Sequence, residues 1–150
     1  MWPALRTMVA DLCVVLVNWR NETRTLRCVS AIRQWRGVNP ALLVVDNQST
    51  RESQARLGAA LGAEELICSE ANLGFAGGNN LALARALPMD IPFILLLNSD
   101  AVLSEDGLAA LLERMKADPH IGVLGPLLRE QRDGVTRSYA GGRNIAAHAF

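Results

Sequence analysis

Short unbroken apolar runs alternate along this chain with longer stretches whose apolar residues recur at helical spacing. Leu12 to Val17 (LCVVLV), Ala41 to Val45 (ALLVV) and Phe93 to Leu97 (FILLL) are runs of strand length, the pattern of parallel strands covered on both faces. Glu65 to Cys68 is a weaker strand. Leu26, Val29 and Ile32 recur at three-residue steps and predict a helix from Glu22 to Trp35, with Asn21 as its cap and Gly37 to Pro40 breaking it. Ser49 and Glu52 have capping-box spacing for a second helix running to Leu61, so Ser49 reads as a cap rather than a nucleophile. Leu81 to Leu87, rich in Leu and Ala, predicts a third helix, preceded by Asn72-Leu73-Gly74-Phe75-Ala76-Gly77-Gly78-Asn79-Asn80. Ser104 caps a fourth from Glu105 to Ala117, with Leu108, Leu111, Leu112 and Met115 facing inward and Pro119 ending it. Ile121 to Leu128 predicts a further strand, Asp133-Gly134 a hairpin turn, and Val135 to Ala140 the partner strand.

This alternation predicts an α/β fold: a doubly wound, mainly parallel sheet with right-handed crossovers, ordered 3-2-1-4 before a mixed part begins, in a single domain over residues 1–150. Ligands of such sheets bind outside the carboxyl ends of the strands. The strand Phe93 to Leu97 ends in Asn98-Ser99-Asp100, an amide, a hydroxyl and a carboxylate. Asn98 and Asp100 are two apart, so in extended backbone both side chains leave on one side and can serve one ligand. Taken alone, the same triplet also reads as a polar turn closing a strand.

Composition narrows the function classes. Half of the 150 residues are hydrophobic, enough for a substantial core, and 15 basic residues balance 15 acidic ones. Zero formal charge without a basic run argues against nucleic-acid binding and against a polybasic membrane patch. The apolar runs are far shorter than the ~20 residues of a membrane span, and the start MWPALRTMVADLC lacks the order of a signal peptide, so the expected location is cytoplasmic. Cys13, Cys28 and Cys68 are odd in number and widely spaced, which suits small buried hydrophobes better than a disulfide or a metal site. The glycines after Asn72 allow close backbone approach at a helix start, where anions are favoured, but they fit neither G-x-G-x-x-G nor a P-loop. A dehydrogenase or P-loop enzyme is therefore disfavoured.

The segments VVLVNW, LLVVDNQST, EANLGFAGGNNLALARAL, FILLLNSDAVL and IGVLGP, in this order and spacing, carry a family resemblance. From Leu12 to Gly142 the chain resembles the donor-binding half of a family 2 inverting glycosyltransferase of the GT-A fold (nucleotide-diphospho-sugar transferase-like), in particular its rhamnosyltransferase-like branch. The resemblance implies a nucleoside diphosphate sugar as donor, dTDP-, UDP- or GDP-linked, and a glycan or lipid-linked acceptor, in cell-wall or polysaccharide biosynthesis. Asp46 matches the carboxylate that accepts a hydrogen bond from the nucleotide base; read as a residue, it is also an Asx turn or helix cap. Trp19 matches an aromatic position suited to stacking on the base, or is a packed rim tryptophan. Asn18 would touch the same nucleotide, and Asn72 with Gly77, Gly78 and Asn80 would wrap ribose and phosphates, although helix capping suits Asn79 and Asn80 nearly as well.

Asn98 and Asp100 match the two ends of the family's D-x-D motif, with an amide in place of the first acid. The resemblance therefore implies that Asn98 hydrogen-bonds ribose or phosphate and that Asp100 is the metal ligand, for Mg²⁺ or Mn²⁺ completed by phosphate oxygens and water. The family carries its general base and acceptor-binding elements after the region matched here, which places the base beyond Phe150. His120, beside Pro119, and His148, near the terminus, are unconvincing as bases. The expectation is a donor-binding half that binds donor without efficient transfer, cytoplasmic or at the inner face of the membrane through its acceptor. The alternative is a non-catalytic nucleotide-sugar-binding module. A nucleotidyltransferase is disfavoured, because the basic, Gly-rich segment it needs after the first strand is missing. Uncovered strands at Ile121 to Leu128 and Val135 to Ala140 would favour self-association.

Overall fold

The computed structural model describes residues 10–139. Within them β1 (Leu12–Asn18), α1 (Glu22–Ile32), β2 (Pro40–Asn47), α2 (Arg51–Ala60), β3 (Leu66–Ser69), α3 (Gly74–Ala86) and β4 (Ile94–Asn98) form one compact unit, which ends at Val102. The second unit starts at Leu103 and holds α4 (Glu105–Ala117), β5 (Leu128–Arg132) and β6 (Val135–Tyr139).

The first unit is a four-stranded, fully parallel sheet in the order β3-β2-β1-β4, the order read from the alternation of runs. Register sets the upper edge: Asn18 lies opposite Asp46, Asp46 opposite Cys68, and Val17 opposite Asn98. Alternating side chains divide the core. Cys13, Val15, Leu43 and Val45 meet Ala82 and Ala86 of α3 on one face, and by alternation Val14, Leu16 and Val44 point to the other, where α1 lies on β1 and α2 against α1. Full burial of each such Leu or Val contributes about 1.5–3 kcal/mol, so this pair of faces holds the sheet. The helix α3 approaches closely because Gly78 faces β1; a Cβ there would sit 2.8 Å from Val17 Cγ1.

Several expected boundaries move. The helix α1 stops at Ile32 rather than Trp35, the chain closing instead in turns in which the N–H groups of Gln34 and Trp35 bond Ala31 and Ile32 carbonyls. Asn21 occupies the capping position without a side-chain cap; its carbonyl accepts from Thr25 N–H. The cap of α2 is Thr50, whose hydroxyl accepts from Ser53 N–H at 3.2 Å, not Ser49. The helix α3 begins at Gly74, so the glycine-rich stretch is its first turns, not a loop before it. Gly74 takes φ +69°, a turn that suits glycine. The strand β4 is at the edge of the sheet and only partly covered, with Leu96 47% exposed; its unbroken apolar run therefore does not mean burial on both faces.

In the second unit Ser104 caps α4 as its spacing predicts, accepting from Gly107 N–H, and Leu108 and Leu112 are buried. Ile121 to Leu127 forms no strand, since Gly122, Gly125 and Pro126 weaken or remove ladder pairing and Val123 is 92% exposed. The partner of β6 is Leu128–Arg132. Asp133 and Gly134 both have positive φ, 52° and 76°, the two-residue turn that matches the twist of a hairpin. Ala140 and His148 lie outside the described residues. No helix among the described residues is long and apolar enough to cross a membrane.

Candidate active site

The carboxyl ends of β1 and β2 are joined by a buried polar network. Asn18 Nδ2 donates to Asp46 Oδ1 at 2.9 Å and to Ser49 Oγ at 3.1 Å, while Asn18 Oδ1 accepts from Thr25 Oγ1 at 2.7 Å. The other carboxylate oxygen of Asp46 accepts from Ser49 N–H at 3.2 Å and from Gln54 Nε2 at 3.0 Å. A buried carboxylate is tolerable only when hydrogen-bonded in this way. Ser49 Oγ also accepts from Arg20 N–H at 3.2 Å. Arg20 and Gln48, one in each loop after these strands, take φ 53° and 61°, a left-handed backbone that the crossed hydrogen bonds hold in place.

Beside this network Asn47 ties β2 to the start of α3. Its Nδ2 donates to Asn72 Oδ1 at 2.9 Å and to Gly74 carbonyl oxygen at 3.1 Å, and its Oδ1 accepts from Leu73 N–H at 2.9 Å. Asn72 Oδ1 in turn accepts from Gly74 N–H at 2.9 Å. In the sequence Asn47 is marked only by its place after an apolar run and Asp46.

Above these supports lies a cleft of about 380 Å³ at the carboxyl ends of β1, β2 and β4. It gathers Trp19, Asn72, Asn98 and Asp100 of the expected site residues, with Asn21, Asn47, Phe75 and Ser99 beside them. Trp19 is 53% exposed, with the Arg20 guanidinium 5.4 Å from its ring centre. Asn98 and Asp100 do meet at one cleft, but Asn98 ends β4 and its carbonyl accepts from Ala101 N–H at 2.9 Å, so a turn and not extended backbone brings them together. Asp100 is paired with Arg24 Nη1 at 3.5 Å, its side chain 54% exposed.

The other expected residues are not on the cleft wall. Asn18 and Asp46 are fully buried beneath it. Gly78 serves helix-to-sheet packing, and at Gly77 a Cβ would come within 2.6 Å of Leu73 Cβ. Asn80 is exposed on α3 away from the cleft, whereas Asn79 is buried and donates to Phe75 carbonyl oxygen at 2.8 Å.

The sequence pattern of Glycosyl transferase family 2 matches residues 13–146. The chain belongs to this family. No curated protein matches it. Its parallel sheet is consistent with the GT-A, nucleotide-sugar-transferase-like fold, and as a glycosyltransferase domain it has a nucleotide-sugar donor and an acceptor as partners.

Members of family 2 commonly use divalent metals. No group of three or more His, Cys, Asp and Glu side chains gathers among the described residues. Among the described residues of the cleft wall Asp100 is the one carboxylate, beside the amide of Asn98 and the hydroxyl of Ser99. This oxygen-rich set fits a hard cation that draws its remaining ligands from phosphate and water. Burial pushes the Cys13 and Cys28 thiols up, Cys28 further because of the Asp100 charge. Cys68 is exposed, contrary to its expected burial, and its thiol is also raised, by partial desolvation and by Asp46. His120 is exposed in a turn of the second unit, its N–H donating to Asp118 Oδ1 at 3.1 Å.

Proposed function

We propose that the cleft above β1, β2 and β4 binds a nucleoside diphosphate sugar and that the glycosyltransferase transfers this sugar to an acceptor hydroxyl with inversion, as in the rhamnosyltransferase-like branch. The observation that carries this reading is the meeting of Trp19, Asn72, Asn98 and Asp100 in one cleft from three different strand ends. Trp19 offers a face for the base, Asn72 and Asn98 offer amides to ribose and phosphate, and Asp100 would hold Mg²⁺ or Mn²⁺. A bound cation supplies charge neutralisation for the departing diphosphate. Asp46 and Asn18 act from beneath, since their polar atoms already serve each other and Ser49. They hold the Trp19 loop rather than touch the base. Gly77 and Gly78 likewise set the position of α3.

Inversion requires the acceptor oxygen to bond the anomeric carbon as the bond to the diphosphate oxygen breaks, with the acceptor proton passing to a base. Asp100 is committed to the cation, and the described cleft wall carries no second carboxylate. The base therefore belongs with the acceptor-binding part. The same observation favours, as second reading, a module that binds donor without transferring it. A glycan or lipid-linked acceptor would set the place of work at the inner face of the membrane. Titration with UDP-, dTDP- and GDP-sugars, with and without Mn²⁺, tests the donor site: saturable binding of one of them, strengthened by Mn²⁺, is expected. Absence of saturable binding at millimolar concentration would refute it. Transfer to an acceptor then separates the enzyme from the binding module.

A further inference from the structure

Asp100 lines two clefts. The second, about 260 Å³, is bounded by Arg24, Arg27 and Cys28 of α1 together with Ala101 and Val102. Two arginines lining one concavity suit an anion with several oxygens, because each side chain carries a planar fork of donors. One of them is provisionally occupied. Arg24 reaches Asp100 at 3.5 Å, with side chains 61% and 54% exposed, and such an exposed, long ion pair holds weakly. Cys28, the remaining polar group, adds no charge, since burial keeps its thiol protonated. The cleft thus carries two positive charges against one negative, and the negative one is the carboxylate assigned above to the cation. Once that carboxylate is taken, Arg24 loses its partner.

We propose that Arg24 and Arg27 form a phosphoryl-binding subsite beside Asp100, in which Arg24 exchanges the Asp100 carboxylate for a phosphoryl oxygen. This rests on the reading of Asp100 as the cation-binding carboxylate of a donor site. The phosphoryl group comes either from the donor's own diphosphate, which a shared Asp100 brings to the second cleft, or from a phosphate borne by the acceptor.

Calorimetric titration of the chain and its Arg24→Gln and Arg27→Gln variants with inorganic pyrophosphate, nucleoside diphosphates and nucleosides, all with Mg²⁺, tests the subsite. Both variants should bind pyrophosphate roughly 3- to 10-fold more weakly, and nucleoside diphosphate with it where the subsite serves the donor, with nucleoside binding unchanged, as loss of a partly exposed charged contact implies. Mn²⁺ alone, followed by electron paramagnetic resonance, should bind Arg24→Gln about 2- to 5-fold more tightly, because a competitor for Asp100 is gone. Mutual displacement of pyrophosphate and nucleoside diphosphate assigns the subsite to the donor; simultaneous binding of both assigns it to an acceptor phosphate. Wild-type chain that binds pyrophosphate no better than its two variants would overturn the subsite and leave the donor site standing. Arginine-dependent pyrophosphate binding with no affinity for any nucleoside diphosphate would do the reverse. Failure of pyrophosphate to bind wild-type chain at millimolar concentration also overturns the subsite.

Discussion

The side-chain amide of Asn18, the last residue of β1, donates to Oδ1 of Asp46, its register partner on β2, at 2.9 Å, with both residues fully buried. The two side chains are engaged with each other beneath the cleft rather than lining it. Removing one partner leaves the other desolvated and unpaired, which costs about 1–3 kcal/mol and more for a charge. Asn18→Ala should destabilise the fold by roughly 2–3 kcal/mol, and Ser49→Ala by roughly 1 kcal/mol, through the same network. Urea unfolding measures both. A change below about 0.5 kcal/mol for Asn18→Ala would return the pair to direct ligand recognition.

Asp100 is expected to act through charge. Asp100→Asn keeps its shape, so nucleotide binding without metal should be nearly unchanged, while the metal-dependent gain falls by roughly 2 kcal/mol, the scale of a charge-assisted contact. Asn98→Ala should weaken nucleotide binding equally with and without metal. Titration at matched ionic strength separates the two patterns. Asp100→Asn indistinguishable from wild type would mark the residue as part of a turn.

Gly78 should tolerate no side chain. The Cβ of Gly78→Ala would lie 2.8 Å from Val17 Cγ1, so α3 or Val17 must shift, an overpacking cost of about 1–3 kcal/mol. Gly122→Ala meets nothing within 4 Å and serves as the control. Thermal unfolding should separate them by several degrees, and equal Tm values would mean that α3 is not held close to β1.

Acid should loosen the link between α1 and α2. Glu22 is held below the usual carboxylate value of 4.5 first by its own backbone N–H and then by the Ser53 hydroxyl, with burial pushing the other way and the Arg56 guanidinium adding to the depression. Ser53 Oγ donates to Glu22 Oε2 at 3.1 Å and Arg56 Nη1 to Oε1 at 2.8 Å. A depressed folded pKa means that the stabilisation is present above 4.5 and fades as pH falls toward the lowered value. Glu22→Gln should therefore reduce the loss of stability below pH 4.5, measured as urea midpoints across pH. An unchanged acid slope would remove Glu22 from the account.

The hairpin and the open edge of the sheet should drive association. Leu128 and Val135 are exposed, and β4 is an edge strand with exposed Leu96; unpaired edges and apolar patches invite pairing. Light scattering should show species larger than a monomer, reduced in Leu96→Lys. A clean monomer at high concentration would count against this.

The apolar runs by themselves determined the parallel sheet and its order β3-β2-β1-β4, and they pointed to Asn98 to Asp100 at a strand's carboxyl end, because run length, alternation and connection rules are local or follow from chain order. Cap chemistry at Ser104 and turn chemistry at Asp133-Gly134 were legible for the same reason. Tertiary structure alone decided which polar residues face the cleft. Asn18 meets Asp46 across a separation of 28 residues, and Arg24 meets Asp100 across 76. Asp46 and Asn98 both stand at strand ends, yet one is held under Ser49 and Gln54 and the other is open, because the loop after β2 and the first turn of α2 reach Asp46 whereas β4 is the sheet edge. No spacing along the chain encodes that cover; it follows from where the helices land on the sheet.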